Sequence, residues 1–274
     1  MLEFFDILGY TFWRNALYTG LLASVLFGVI GTYVVIKRIV FISGGIAHAS
    51  FGGIGFAFYV GMDPLLGAAI FALFSAVGIG QLGKKKIQRE DTAIGIFWVI
   101  GMALGAMFYR ITPGNPPGMH NYLFGNIFMI RTVDIYLLLF LVLGVVITVS
   151  LFYHKLQAVS FDEEFAEVVG IRTTAIYLML LVLVALSVVL LLTFVGIILV
   201  IAMLTIPASI SNGFTHDIKR IMIYSCLLSL IFVIGGLWLS YLVNTPAGPT
   251  ITLLAGAFFV GDVFRKKFKK AILS

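Results

Sequence analysis

His48 is the one ionisable side chain in the stretch Ser43-Gly44-Gly45-Ile46-Ala47-His48-Ala49-Ser50-Phe51-Gly52-Gly53-Ile54-Gly55, which lies inside a longer apolar run. An ionisable group at membrane depth is costly and marks a working site. The glycines, alanines and serines around it let a neighbouring helix backbone come close. The chemistry open to such a residue is contact with a metal ion, because imidazole suits zinc, iron or manganese alike. The competing reading is a packing histidine, hydrogen-bonded to a backbone carbonyl. An intramembrane hydrolase would need a nucleophile and base, or a set of metal ligands on facing spans, and no carboxylate accompanies His48.

A second candidate is the polar segment Ser160-Phe-Asp-Glu-Glu-Phe-Ala-Glu-Val-Val-Gly-Ile-Arg172. Phe161, Phe165, Val168, Val169 and Arg172 recur at spacings of three and four, so a short helix here carries an apolar face opposite Asp162, Glu163, Glu164 and Glu167. Gly170 can end it. Membrane-surface helices usually present a basic polar face to anionic lipid, and this one is acidic. A docking helix for a cytoplasmic protein fits it better. Gly78-Ile-Gly80-Gln-Leu-Gly83-Lys84-Lys85 matches a dinucleotide fingerprint and nearly a phosphate-binding loop. Both motifs need a preceding strand and a following helix N-terminus, whereas this one caps an apolar helix. The chain is therefore read as binding no nucleotide and no resident cofactor.

The elements that position these residues follow from composition. Of 274 residues, 61% are hydrophobic and 11% charged, and the mean hydropathy is +1.11. That is a polytopic membrane protein, all-α, in one transmembrane domain over 1–274. The net charge of +6 comes from short basic clusters between apolar runs, which orientation in the bilayer explains better than nucleic acid does. Cys226 is alone and reads as packing. Residues 1–15 hold acidic residues, no basic start and no small-residue cleavage site, so no removable signal is read there.

A span needs about 20 mostly apolar residues. The chain gives nine, over 15–36, 39–60, 65–82, 92–109, 135–153, two within 175–214, one ending near 243, and 250–264. The count is eight if one of them does not cross. The apolar run 175–214 is broken only weakly, at Thr193 to Gly196. The piece 122–130 is too short to cross and reads as interfacial or re-entrant, following a proline- and glycine-rich loop over 110–121. Counted on alternate sides of nine spans, fifteen of the eighteen Lys and Arg fall on one side; only Arg14, Arg110 and Arg131 fall on the other. The expectation is an N-terminus outside and a C-terminus inside. His154, His216 and Asp262 then lie at the inner edge, Asp262 in reach of Arg265 or Lys266.

In the order of its parts the chain resembles the membrane permease family of ATP-binding-cassette transporters that import zinc, manganese or iron. The matching pieces are the His48 segment, Tyr122-Leu-Phe-Gly125-Asn126, Phe161-Asp-Glu-Glu-Phe-Ala166-x-x-x-Gly170, and Val195-Gly196-Ile-Ile-Leu-Val-Ile-Ala-Met-Leu-Thr-Ile-Pro207-Ala208. The resemblance implies a multi-pass protein of a prokaryotic inner or plasma membrane. It implies two copies of the permease on two ATP-hydrolysing subunits, and an extracytoplasmic metal-binding protein that delivers the ion. Asp162, Glu163, Glu164, Phe165, Ala166 and Gly170 would form the coupling helix seated on the ATPase. Gly44, Gly45, Gly52, Gly53 and Pro207 would serve helix packing and sliding. Many members carry an aspartate four residues before the histidine, on the same helix face; here that position is Gly44. Candidate helpers to His48 are Ser43, Ser50, His120, Asn121 and Asn126. The alternative kept open is an ion-coupled secondary transporter working without an ATPase, although such chains usually show internal repeats and several buried carboxylates.

Overall fold

The computed structural model describes residues 9–85, 87–114, 125 and 127–273, the side chains of 269–273 excepted. The described residues contain eleven α-helices and no strand: α1 Thr11–Ile36, α2 Val40–Val60, α3 Pro64–Lys84, α4 Glu90–Ile111, α5 Thr132–Leu151, α6 Tyr153–Phe161, α7 Glu163–Val168, α8 Thr173–Val195, α9 Ile197–Asn212, α10 Ile218–Val243 and α11 Ala247–Leu273. Eight of them, α1 to α5, α8, α10 and α11, are long and apolar enough to cross a membrane. The ninth expected span is α9, whose 16 residues reach about 24 Å, short of a full hydrocarbon core.

Local chemistry sets the boundaries. Asp63 caps α3, its carboxylate accepting from the Leu65 and Leu66 N–H groups, with Pro64 at the first helical position. Asp217 caps α10 in the same way. The break in the long apolar run falls at Gly196, whose φ of +81° only glycine adopts freely. Two helices outrun their expected ends. The first begins at Thr11, ahead of Asn15, because Trp13 is buried and stacks on Phe128 at 5.5 Å, while Asn15 Nδ2 donates to the Ile130 carbonyl at 3.0 Å. The last continues past residue 264, where Asp262 pairs with Arg265 at 2.7 Å and Lys266 at 2.6 Å. Among the described residues of 122–130, a 3₁₀ turn at Ile127–Met129 is packed on the start of α1.

Helices group around two centres. Nearly all of α2 is buried, between α3 and α4; α1 is gripped by α9 and α10, and α11 closes that side. Between the two groups stands α8, touching α3, α2 and α9. The tightest crossings are built on glycine: Gly52 and Gly55 face the carbonyls of Gly101 and Gly105 on α4, Gly53 faces Gly67 on α3, and Gly31 faces the Leu204 carbonyl on α9. At the end of the bundle away from the basic clusters, Gly125 sits with φ +65° on the Val195–Gly196 peptide, where an added Cβ would stand 2.6 Å from the Val195 oxygen. Gly125→Ala is expected to lower thermal stability by about 2 kcal/mol, from backbone strain plus this clash, read as an earlier unfolding midpoint in detergent.

Candidate functional site

Helix α2 carries His48 to a half-buried position in the bundle. Its ring stacks on Trp98 of α4, with centroids 4.0 Å apart and planes 13° from parallel, and lies 6.2 Å from the Phe51 ring. Nδ1 is buried and has no hydrogen-bond partner, so the packing reading, which requires a bond to a backbone carbonyl, finds no such bond at that nitrogen. The observed contacts that orient this imidazole are its stack on Trp98 and its neighbour Phe51, and they leave Nδ1 without a partner. That nitrogen is the kind of soft-to-borderline donor that can contact a transition-metal ion.

The helpers on the same helix are less free. Ser43 Oγ donates to the Val40 carbonyl at 2.7 Å and Ser50 Oγ to the Ile46 carbonyl at 2.8 Å, leaving oxygen lone pairs but no free proton. His120, Asn121 and Asn126 lie outside the described residues. Among the described residues no group of three His, Cys, Asp or Glu side chains converges as a metal cage. Around Gly44 there is ordinary space: an added Cβ would meet Trp98 at 3.6 Å and the Ile201 methyl at 3.8 Å. Gly45 is tighter, 2.7 Å from an Ile94 methyl. Pro207 is buried within α9, where its ring denies the Met203 carbonyl an intrahelical donor.

At the basic end the polar segment folds as two short helices rather than one. Asp162 adopts an extended backbone, φ −144° and ψ 101°, and its side chain caps α7 by accepting from the Phe165 N–H at 2.9 Å. Phe161 therefore ends α6 and does not share the α7 face. Ala166 is fully buried against the bundle, while Phe165 and Val168 are 60% and 86% exposed. Exposed Glu164 and Glu167 flank them, and Gly170, at φ +84°, turns the chain toward α8. Glu163 departs from its acidic neighbours: it turns inward, paired with Lys84 and, at 3.6 Å, with Lys37. Neither this inward turn nor Trp98 was marked by sequence, since a run of three acids does not say which one faces the bundle and an aromatic in a span is ordinary core.

The model of the ABC 3 transport family matches residues 9–266. The chain belongs to the ABC 3 transport family. Relatives cover it nearly end to end. An uncharacterized membrane protein of Synechocystis sp. is 39% identical over 94% of this chain and 92% of its own length. The manganese transport system membrane protein MntC of Listeria monocytogenes is 31% identical over 97% and 95% respectively. Among solved structures, PsaBC from Streptococcus pneumoniae in complex with Fab aligns with a TM-score of 0.85 at 29% identity, covering 95% of this chain and 94% of that one. An ABC 3 protein is a transport permease of the membrane, and this chain is accordingly an ABC transporter permease with many membrane helices. The ABC 3 match encloses both the His48 region and the α6–α7 elbow.

Proposed function

We propose that this chain is the permease of an ATP-driven importer of divalent metal ions, with a separate ATPase on the inner side, a metal-binding protein delivering from outside, and a second copy of the chain completing the path. The observation that carries the reading is His48, half-buried on α2 with an unpartnered Nδ1 in a chain whose relatives are named for metal and manganese transport. Manganese, zinc and iron all fit an imidazole contact, and the relatives' names favour manganese. The cargo meets one nitrogen and a few oxygens, so His48 serves as a waypoint, with selectivity resting largely on the delivering protein. The lopsided distribution of Lys and Arg supports an inner α6–α7 elbow, and the exposed Phe165 and Val168 beside Glu164 and Glu167 suit a cleft on the ATPase. Switching between outward and inward openings then follows ATP-driven motion of α7.

The test is purification from native membranes followed by uptake in proteoliposomes. An ATPase subunit should travel with the permease, and Gly170→Val, which forces a β-branched residue to φ +84°, should lower uptake about tenfold or more by misdirecting α7. Uptake that needs no ATPase and ignores this substitution would make the chain a secondary transporter.

A further inference from the structure

We propose that Glu163 is a positioning residue that transmits the movement of α7 to both groups of membrane helices, by clamping Lys37 at the end of α1 and Lys84 at the end of α3. The inference rests on the importer reading above and assigns Glu163 a role that faces the bundle instead of the ATPase.

The geometry divides α7 by face. Phe165, Val168, Glu164 and Glu167 point to solvent, while Glu163 and Ala166 point inward. The Glu163 side chain is 33% exposed and its two partners are 14% and 20% exposed, so the ions sit largely out of water. Lys37 also donates to the Val159 carbonyl of α6 at 2.8 Å, which ties the same ammonium to both sides of the α6–α7 elbow. Lys84 Nζ lies 4.8 Å and Lys37 Nζ 5.6 Å from the centroid of the Tyr177 ring on α8. Tyr177 in turn donates its hydroxyl to Glu90 Oε1, at the start of α4, at 2.8 Å. One cluster therefore links α1, α3, α4, α6, α7 and α8, where α1 and α3 belong to different packing groups.

Among the described residues Glu163 is the carboxylate within ion-pair reach of both lysines, while Glu90 of α4 attracts both and Glu167 attracts Lys84 from farther off. Burial already pushes the Lys37 pKa below its ordinary value, with Glu90 pulling the other way. Without Glu163 the two ammonium groups would face each other with little water between them, and like charges in partial burial repel strongly. A stroke delivered to α7 would then move the elbow without drawing the ends of α1 and α3 along.

The experiment uses the full complex of permease and ATPase in proteoliposomes, measuring ATP hydrolysis and manganese uptake together. Glu163→Gln should assemble and hydrolyse ATP at a rate within about twofold of wild type, while uptake per ATP falls about tenfold or more. The exchanged pair Glu163→Lys with Lys84→Glu, which keeps two cations and one carboxylate in the cluster, should recover much of that ratio. A purely structural role would lower hydrolysis and uptake in proportion and leave the ratio unchanged. Wild-type uptake per ATP in Glu163→Gln overturns the inference and leaves the importer reading intact. Uptake by wild type without any ATPase overturns both. Should Glu163→Gln fail to assemble, the exchanged pair decides: a restored ratio supports the clamp, and an assembled complex that hydrolyses ATP without uptake refutes it.

Discussion

Gly53→Ala is expected to loosen α2 from α3 and lower stability by about 3 kcal/mol, the upper part of the range for overpacking a tight core. Gly44→Ala in the same helix is expected to be neutral or to stabilise by up to about 1 kcal/mol, because alanine is the better helix former. The contrast comes from what each Cβ would meet. At Gly53 it would collide with the Gly67 carbonyl, 2.5 Å from the carbonyl carbon, and these are backbone atoms with no rotamer to change. Helix α2 cannot retreat, since on its other side Gly52 is 3.0 Å and Gly55 2.5 Å, measured from their would-be Cβ atoms, from the carbonyl oxygens of Gly101 and Gly105. At Gly44 the nearest atoms are side-chain carbons at ordinary contact distance. Between membrane helices there is little hydrophobic drive, so close backbone packing supplies much of the association. Thermal unfolding in detergent should place the Gly53→Ala midpoint well below both wild type and Gly44→Ala; coincident midpoints for the two variants would show that α2 is not held by this crossing.

The spans were readable because the signals that bound them are local. Asp63-Pro64 caps α3, Gly196 breaks the long apolar run, and each apolar stretch of span length became a helix. The glycines of the 78–83 motif likewise lie inside α3, with Gly80 against Leu178 and Leu181 of α8 and Gly83 against the Glu90 side chain. What sequence did not show depends on contacts distant along the chain. Asn15 looked like a span boundary, yet its amide is spent on Ile130, which lies far away in sequence. The periodicity of 161–172 reads as one helix, whereas Asp162 leaves the helical conformation and caps a new helix by accepting from the Phe165 N–H. Glu163 reads like Glu164 until α1 and α3 bring their terminal lysines to it. At the candidate site the histidine itself was plain from its isolation in a span, but its partner Trp98 lies on α4, and no period within α2 points to it.

His48→Ala is expected to cut metal uptake about a hundredfold while leaving the bundle assembled. The stack on Trp98 is worth only about 1 kcal/mol, and no hydrogen bond to Nδ1 is lost, so folding should survive while the ion loses its nitrogen contact. Gly44→Asp provides the complementary result. The position lies one helical turn before His48, and its Cβ has room beside Trp98 and Ile201, so the new carboxylate and the imidazole would share one face. An unpaired carboxylate at membrane depth costs about 2.5–3.5 kcal/mol, which a bound divalent cation would offset. The variant should therefore be less stable than wild type in chelator and gain more stability from added manganese, with binding at least about tenfold tighter. Tighter holding slows release, so steady-state uptake by Gly44→Asp should fall even as affinity rises. If manganese stabilises Gly44→Asp and wild type equally, the ion does not pass the His48 face of α2, and the waypoint must be sought elsewhere in the bundle.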